Sequence, residues 1–342
     1  MEALVAECRR VMDEEASFSE QKEAYTKLAL ADPVLALEYV GDPDIFNKIA
    51  PVFPSLLEVV AKNKPDLLVQ MLDQGLPRYE NKDLAIPLIS MTLDILAKQH
   101  PEKAITTFNH LEIPEDKKHS VISALFRGLA KNDPSTIIAK ASALDPALAS
   151  SALAGAVVGA TGRDPQLAKQ IAEAITNRES RLDAINGLFS DWIRKDLATA
   201  KSELMKMDSK VLEDLLVEGA GDYVCIHSAL SQKDPLTLLS LLDGIYPTST
   251  NTRLFERSIG ATVKTQPEQT FSTISKLPEG ELKSRLFGQA YSTLSWADPE
   301  KALQMFAEEK DPVLRAIALP EVADSVGGSG MESTLRFVNG LG

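Results

Sequence analysis

Residues 295–309 read SWADPEKALQMFAEE. The Asp298-Pro299 pair opens an amphipathic run, and the same opening recurs upstream. It is written ALADPVLALEYV from residue 29, AKNDPSTIIAKA from 130, TGRDPQLAKQIA from 161 and SQKDPLTLLSLL from 231. Asp before Pro is a helix entry with a physical cause. An Asp at the N-cap accepts a hydrogen bond from a free first-turn N–H and suits the positive end of the helix dipole. Pro at the first helical position has its φ already set and gives up a donor that had no partner.

Aligned on that proline, the slot is filled by Pro33, Pro65, Pro101, Pro134, Pro165, Leu197, Pro235, Pro267, Pro299 and Met331. Successive slots lie 31 to 38 residues apart, with most steps near 32, a spacing that signals a repeat architecture. The residue before the slot is Asp at 32, 133, 164, 196, 234 and 298. Counting from the slot as zero, position +7 is always apolar, as in Leu72, Phe108, Leu204 and Phe306. Position +3 is usually Ala or Leu, and +4 is mostly apolar. That spacing is one face of a helix, here called helix A.

A second punctuation follows at Pro43, Pro77, Pro114, Pro146, Pro247, Pro278 and Pro312. It ends helix A and opens helix B. Counting back from the next slot, −12, −8 and −5 carry large apolar residues. Examples are Ile122, Phe126 and Leu129, then Ile185, Phe189 and Trp192, then Phe287, Tyr291 and Leu294. Two amphipathic helices cannot bury their faces alone, so neighbouring hairpins must stack.

The pattern predicts an all-α chain, a right-handed α-solenoid of about ten stacked helix-turn-helix repeats spanning residues 1–342. Residues 1–31 read as an N-terminal capping hairpin without the Asp-Pro entry, and 32–329 as nine A/B repeats. Residues 330–342 read as a terminal single helix, either a native cap or a truncated repeat. The helix-turn-helix period resembles the α-solenoid superfamily of tetratricopeptide and HEAT-like repeats along essentially the whole chain. No specific family is assigned, because helix A has no Leu-Gly-x-x-Tyr and −12 is large rather than small. What the resemblance implies is protein–protein binding or scaffolding.

The totals narrow the function. Of the 342 residues 44% are apolar, enough for a continuous core, and only 6% are aromatic, so that core is mainly aliphatic. A formal charge of −13 argues against nucleic acid and against an anionic membrane surface, since phosphates are bound by Lys and Arg. The N-terminus, MEALVAECRRVMDEEAS, is an acidic amphipathic helix with no apolar signal-peptide core, so a cytoplasmic location is expected. The least charged stretch, residues 146–162, is rich in Ala, Gly and Ser and reads as a buried helix, not a membrane span.

Chemistry-bearing motifs are absent from the sequence. It has no G-x-x-x-x-G-K-[ST], H-E-x-x-H, G-x-S-x-G or C-x-x-C. GAVVGATG, from Gly155, has glycines spaced like a dinucleotide loop. It follows no strand, however, and reads as a close helix–helix approach. Cys8 and Cys225 match no metal or redox spacing. His100 occupies a capping slot, while His110 and His119 flank an A/B turn without further ligands. His227 sits in the apolar −8 column and reads as a core histidine held by a neighbour. Asp222, Cys225 and His227 are close in sequence but do not share a helix face, so they are not taken as a nucleophile pair. The reading therefore names no catalytic residue, metal site or cofactor, and no enzyme.

A binding surface is the sharper expectation. Opposite the core face of helix A, the +5 column is nearly neutral in an acidic protein: Glu38, Gln70, Thr106, Ala139, Gln170, Ser202, Ser240, Ser272, Gln304 and Arg336, of which Gln70, Thr106, Gln170, Ser202, Ser240 and Gln304 are the candidate contacts. At +2, Leu35, Leu67 and Leu167 stand beside it. Together they predict a strip that holds a protein or peptide segment, with no nucleic acid or membrane partner and with self-association left open. The leading function is a non-catalytic interaction scaffold. The alternative is a structural segment of a larger assembly, such as a virion component or the non-catalytic part of a longer protein.

Overall fold

The computed structural model describes residues 1–14, 16–40, 52–73, 82–218, 225–242, 245, 248 and 251–328. Among them every regular element is helical. The terminal helix expected over 330–342 lies outside the described residues, as do Pro43, Pro77 and Pro247. No helix among the described residues is long and apolar enough to cross a membrane.

Most B helices meet the following A helix at a single residue that falls where the sequence puts the slot; three residues separate Pro146–Thr161 from Pro165–Glu173, and four separate Thr252–Thr262 from Pro267–Ser275. Asp32, Lys64, His100, Asp133, Asp164, Asp196, Asp234, Gln266 and Asp298 each donate their backbone N–H to the carbonyl four residues back, at 2.6–2.8 Å. That bond closes the preceding B helix. Most of these residues also offer their own carbonyl to the next helix, as in Ala168 N to Asp164 O at 2.9 Å. Their backbone is extended, for example φ −147°, ψ 87° at Asp164 and φ −149°, ψ 84° at Asp298. Where the junction is a single residue, as at Asp298, that residue is both the last cap of one helix and the first cap of the next.

The Asp side chains act as expected at all six positions. Asp32, Asp164, Asp196, Asp234 and Asp298 accept from the N–H three residues on, at 3.0–3.2 Å. Asp133 accepts from Ser135 N at 3.0 Å, where the entry is a 3₁₀ turn, Pro134–Thr136, before the short helix Ile137–Ala141. At the N-terminus a capping box between Ser17 and Glu20 replaces the Asp-Pro entry and starts the helix Phe18–Ala31.

The apolar columns are buried. At +3, Ala36, Leu68, Ala104, Ile137, Ala168, Ala200, Leu238 and Ala302 are all essentially inaccessible. So are the −12, −8 and −5 side chains quoted above.

Contacts divide the chain into two compact units, Met1–Ala184 and Ile185–Gly342. In the first, B helices lie close together. A Cβ added to Gly155 would sit 1.9 Å from Ser123 O, and one on Gly159 would sit 2.2 Å from Arg127 O. Gly128 makes the same approach to Asp94 O, at 2.1 Å. The helices concerned are Lys82–Gln99, Glu115–Asn132 and Pro146–Thr161. GAVVGATG is therefore a helix-packing seam, as its place within helix B predicted.

At three places in this unit the end of one B helix also caps the one before it. His100 Nε2 donates to Ala61 O at 2.9 Å, Asn132 Nδ2 to Lys98 O at 2.9 Å, and Arg163 Nη1 to Asn132 O at 2.6 Å. These carbonyls belong to last turns that have no intrahelical donor. Asp94, almost buried, accepts from Arg127 Nε and Lys131 Nζ at 2.9 Å and so ties two B helices by charge.

The second unit differs in its first repeat, where the sequence reading expected a single helix B. Two helices stand there instead, Ser209–Glu218 and Ile226–Lys233. Residues 219–224 lie outside the described residues. Further along, an aromatic cluster forms the core. Phe271 lies 4.6 Å from Tyr291 and 5.2 Å from Phe287 between ring centroids.

Candidate functional site

The strip foreseen on helix A is built from residues that do reach solvent. Gln70, Thr106, Gln170, Ser202, Ser240 and Gln304 are all exposed. The first three lie in the first unit and the last three in the second. The helices that carry them are Pro65–Asp73, Pro101–His110, Pro165–Glu173, Leu197–Leu204, Pro235–Leu242 and Pro299–Glu308.

Some of these groups are already engaged. Thr106 Oγ1 donates to Glu102 O and Ser240 Oγ to Leu236 O, both at 2.9 Å, so each hydroxyl is left with acceptor capacity only. Gln304 donates to Glu308 Oε1 at 3.1 Å and accepts from Lys301 Nζ at 3.4 Å. The leucines at +2 are half-buried. Leu35 and Leu67 pack against the core cluster that contains Leu56, Leu57 and Leu68, so their side chains belong to the interior as much as to the surface. Leu167 is also half-buried.

Charges on neighbouring A helices pair with one another. Asp66 pairs with Lys103, Glu102 with Lys140 at 3.9 Å, and Glu268 with Lys301 at 2.5 Å. Each pair links one A helix to the next in sequence. Sequence reasoning missed these pairs because each joins residues more than 30 positions apart.

Cys8, Cys225 and His227 are buried. His227 Nε2 lies 3.1 Å from Ser258 Oγ, the pairing of a base with a hydroxyl nucleophile. Ser258 is wholly buried and His227 nearly so, which closes the pair to any substrate. Burial, with a smaller contribution from the Arg257 charge, lowers the imidazole pKa to about 4. Cys8 is buried, and burial, aided by Glu7, pushes its thiol up to about 11. Cys225 is buried as the N-cap of Ile226–Lys233, with Sγ 3.4 Å from Ser228 N. Asp222 lies outside the described residues. His119 Nδ1 meets Ser151 Oγ at 3.0 Å. Among the described residues no three His, Cys, Asp or Glu side chains are grouped to hold a metal ion.

One surface cavity, of about 360 Å³, is lined by Thr248, Thr252, Leu277, Glu279, Lys283 and Arg285. Gly280, beside it, has φ 155° and ψ −176°, a conformation left almost wholly to glycine. Lys283 Nζ donates to Ser275 O at 2.9 Å and to Glu279 Oε1 at 2.6 Å, and Arg285 is paired with Glu256 at 3.0 Å.

No protein-family model, curated protein or solved structure matches the chain. The functional reading therefore rests on geometry alone.

Proposed function

We propose that the chain is a non-catalytic interaction scaffold that holds a protein or peptide segment along the exposed face of its A helices. In this reading its hairpins stack as a right-handed α-solenoid with a repeat near 32 residues, like the tetratricopeptide and HEAT-like arrays. Two features support the stacking. Short capped junctions recur from Asp32 to Asp298, and bonds such as Arg163 to Asn132 O join three B helices to their predecessors.

The observation that carries the binding reading is charge placement. In a chain of net charge −13, charges of successive A helices pair off, as in Asp66–Lys103, while the +5 positions from Gln70 to Gln304 carry no charge. An uncharged strip of hydrogen-bonding groups suits a polypeptide partner and offers little to a phosphate backbone.

Gln70→Glu with Gln170→Glu tests it, because both side chains are exposed and neither supports the core. Partner capture from lysate by the tagged chain is expected to fall at least tenfold in the double variant, with the melting temperature unchanged. Capture at the level of the parent chain would overturn the assignment of this face. Leu67 is unsuitable for the test, since a charge there would enter the core cluster.

A further inference from the structure

We draw no further inference here: the strongest candidate, the surface cavity at the start of the helix Glu281–Ala297, carries nothing because its two cations, Lys283 and Arg285, are already paired with Glu279 and Glu256, which leaves only a helix N-terminus with no second sign of a ligand.

Discussion

The carboxamide of Asn186 donates to the carbonyl of Leu215 at 2.9 Å, while its oxygen faces the N–H of Ile226 at 3.5 Å. Leu215 lies in the last turn of Ser209–Glu218, and Ile226 is the first residue of the next helix. One buried side chain thus bonds to both of these helices.

Asn186→Ala is accordingly expected to remove a buried donor to the Leu215 carbonyl. Such a loss costs about 1–3 kcal/mol, and chemical denaturation should show it as a lower midpoint. Asn186→Asp keeps an acceptor for Ile226 but loses the donor to Leu215, so it should be no better than Ala. A wild-type midpoint in either variant would remove Asn186 from this role.

The glycine seam makes an opposed pair of predictions. Gly→Ala in a helix interior normally stabilises by about 1 kcal/mol. Gly187, with nothing within 4 Å of an added Cβ, should show that gain. At Gly155 the methyl would meet Ser123 O at 1.9 Å, so Gly155→Ala should instead destabilise by about 1–3 kcal/mol or more, as overpacking does. Thermal unfolding of the two single variants decides it. Equal shifts of the same sign would contradict the close approach.

The junctions can be improved as well as damaged. Asp164→Ala removes the bond to Leu167 N and should cost about 0.5–2 kcal/mol. Gln266 has a similar extended backbone, φ −139° and ψ 57°, but no capping bond from its side chain. Gln266→Asp should raise the unfolding midpoint by a comparable amount. If it lowers the midpoint, the Asp preference at these slots has another cause.

Acid sensitivity should appear in two windows. His227 has a folded pKa of about 4, below its unfolded value near 6.5. Between those values the unfolded chain binds the extra proton, so stability is complete above about pH 6.5 and falls as pH drops towards 4. The loss is at most about 3 kcal/mol. His227→Gln, which can still bond Ser258, should flatten that window. Hydrogen bonds from Ser135 and Thr199 hold Asp133 and Asp196 below their ordinary carboxylate values. Their contribution is present above the unfolded pKa and is lost at still lower pH. Unfolding measured from pH 7 to 3 separates the two. An unchanged slope between 6.5 and 4 in the Gln variant would relieve His227 of the role.

What the sequence alone determined was local. The Asp-Pro entries, the buried +3 column and the −8 and −5 anchors could all be read from it. A cap joins residues two or three apart, and a helix face repeats every 3.6 residues, so a dozen residues encode both. The exposure of Gln70 and Gln170 was legible for the same reason. Tertiary structure decided the rest. It paired Asn186 with groups 29 and 40 residues away and set Gly155 against Ser123 O. It also drew Leu35 and Leu67 into the core and matched Asp66 with Lys103. Each of these depends on which helix lies alongside which and in what register. That is set by the fit of whole helix surfaces against one another, and no short stretch of one helix contains it.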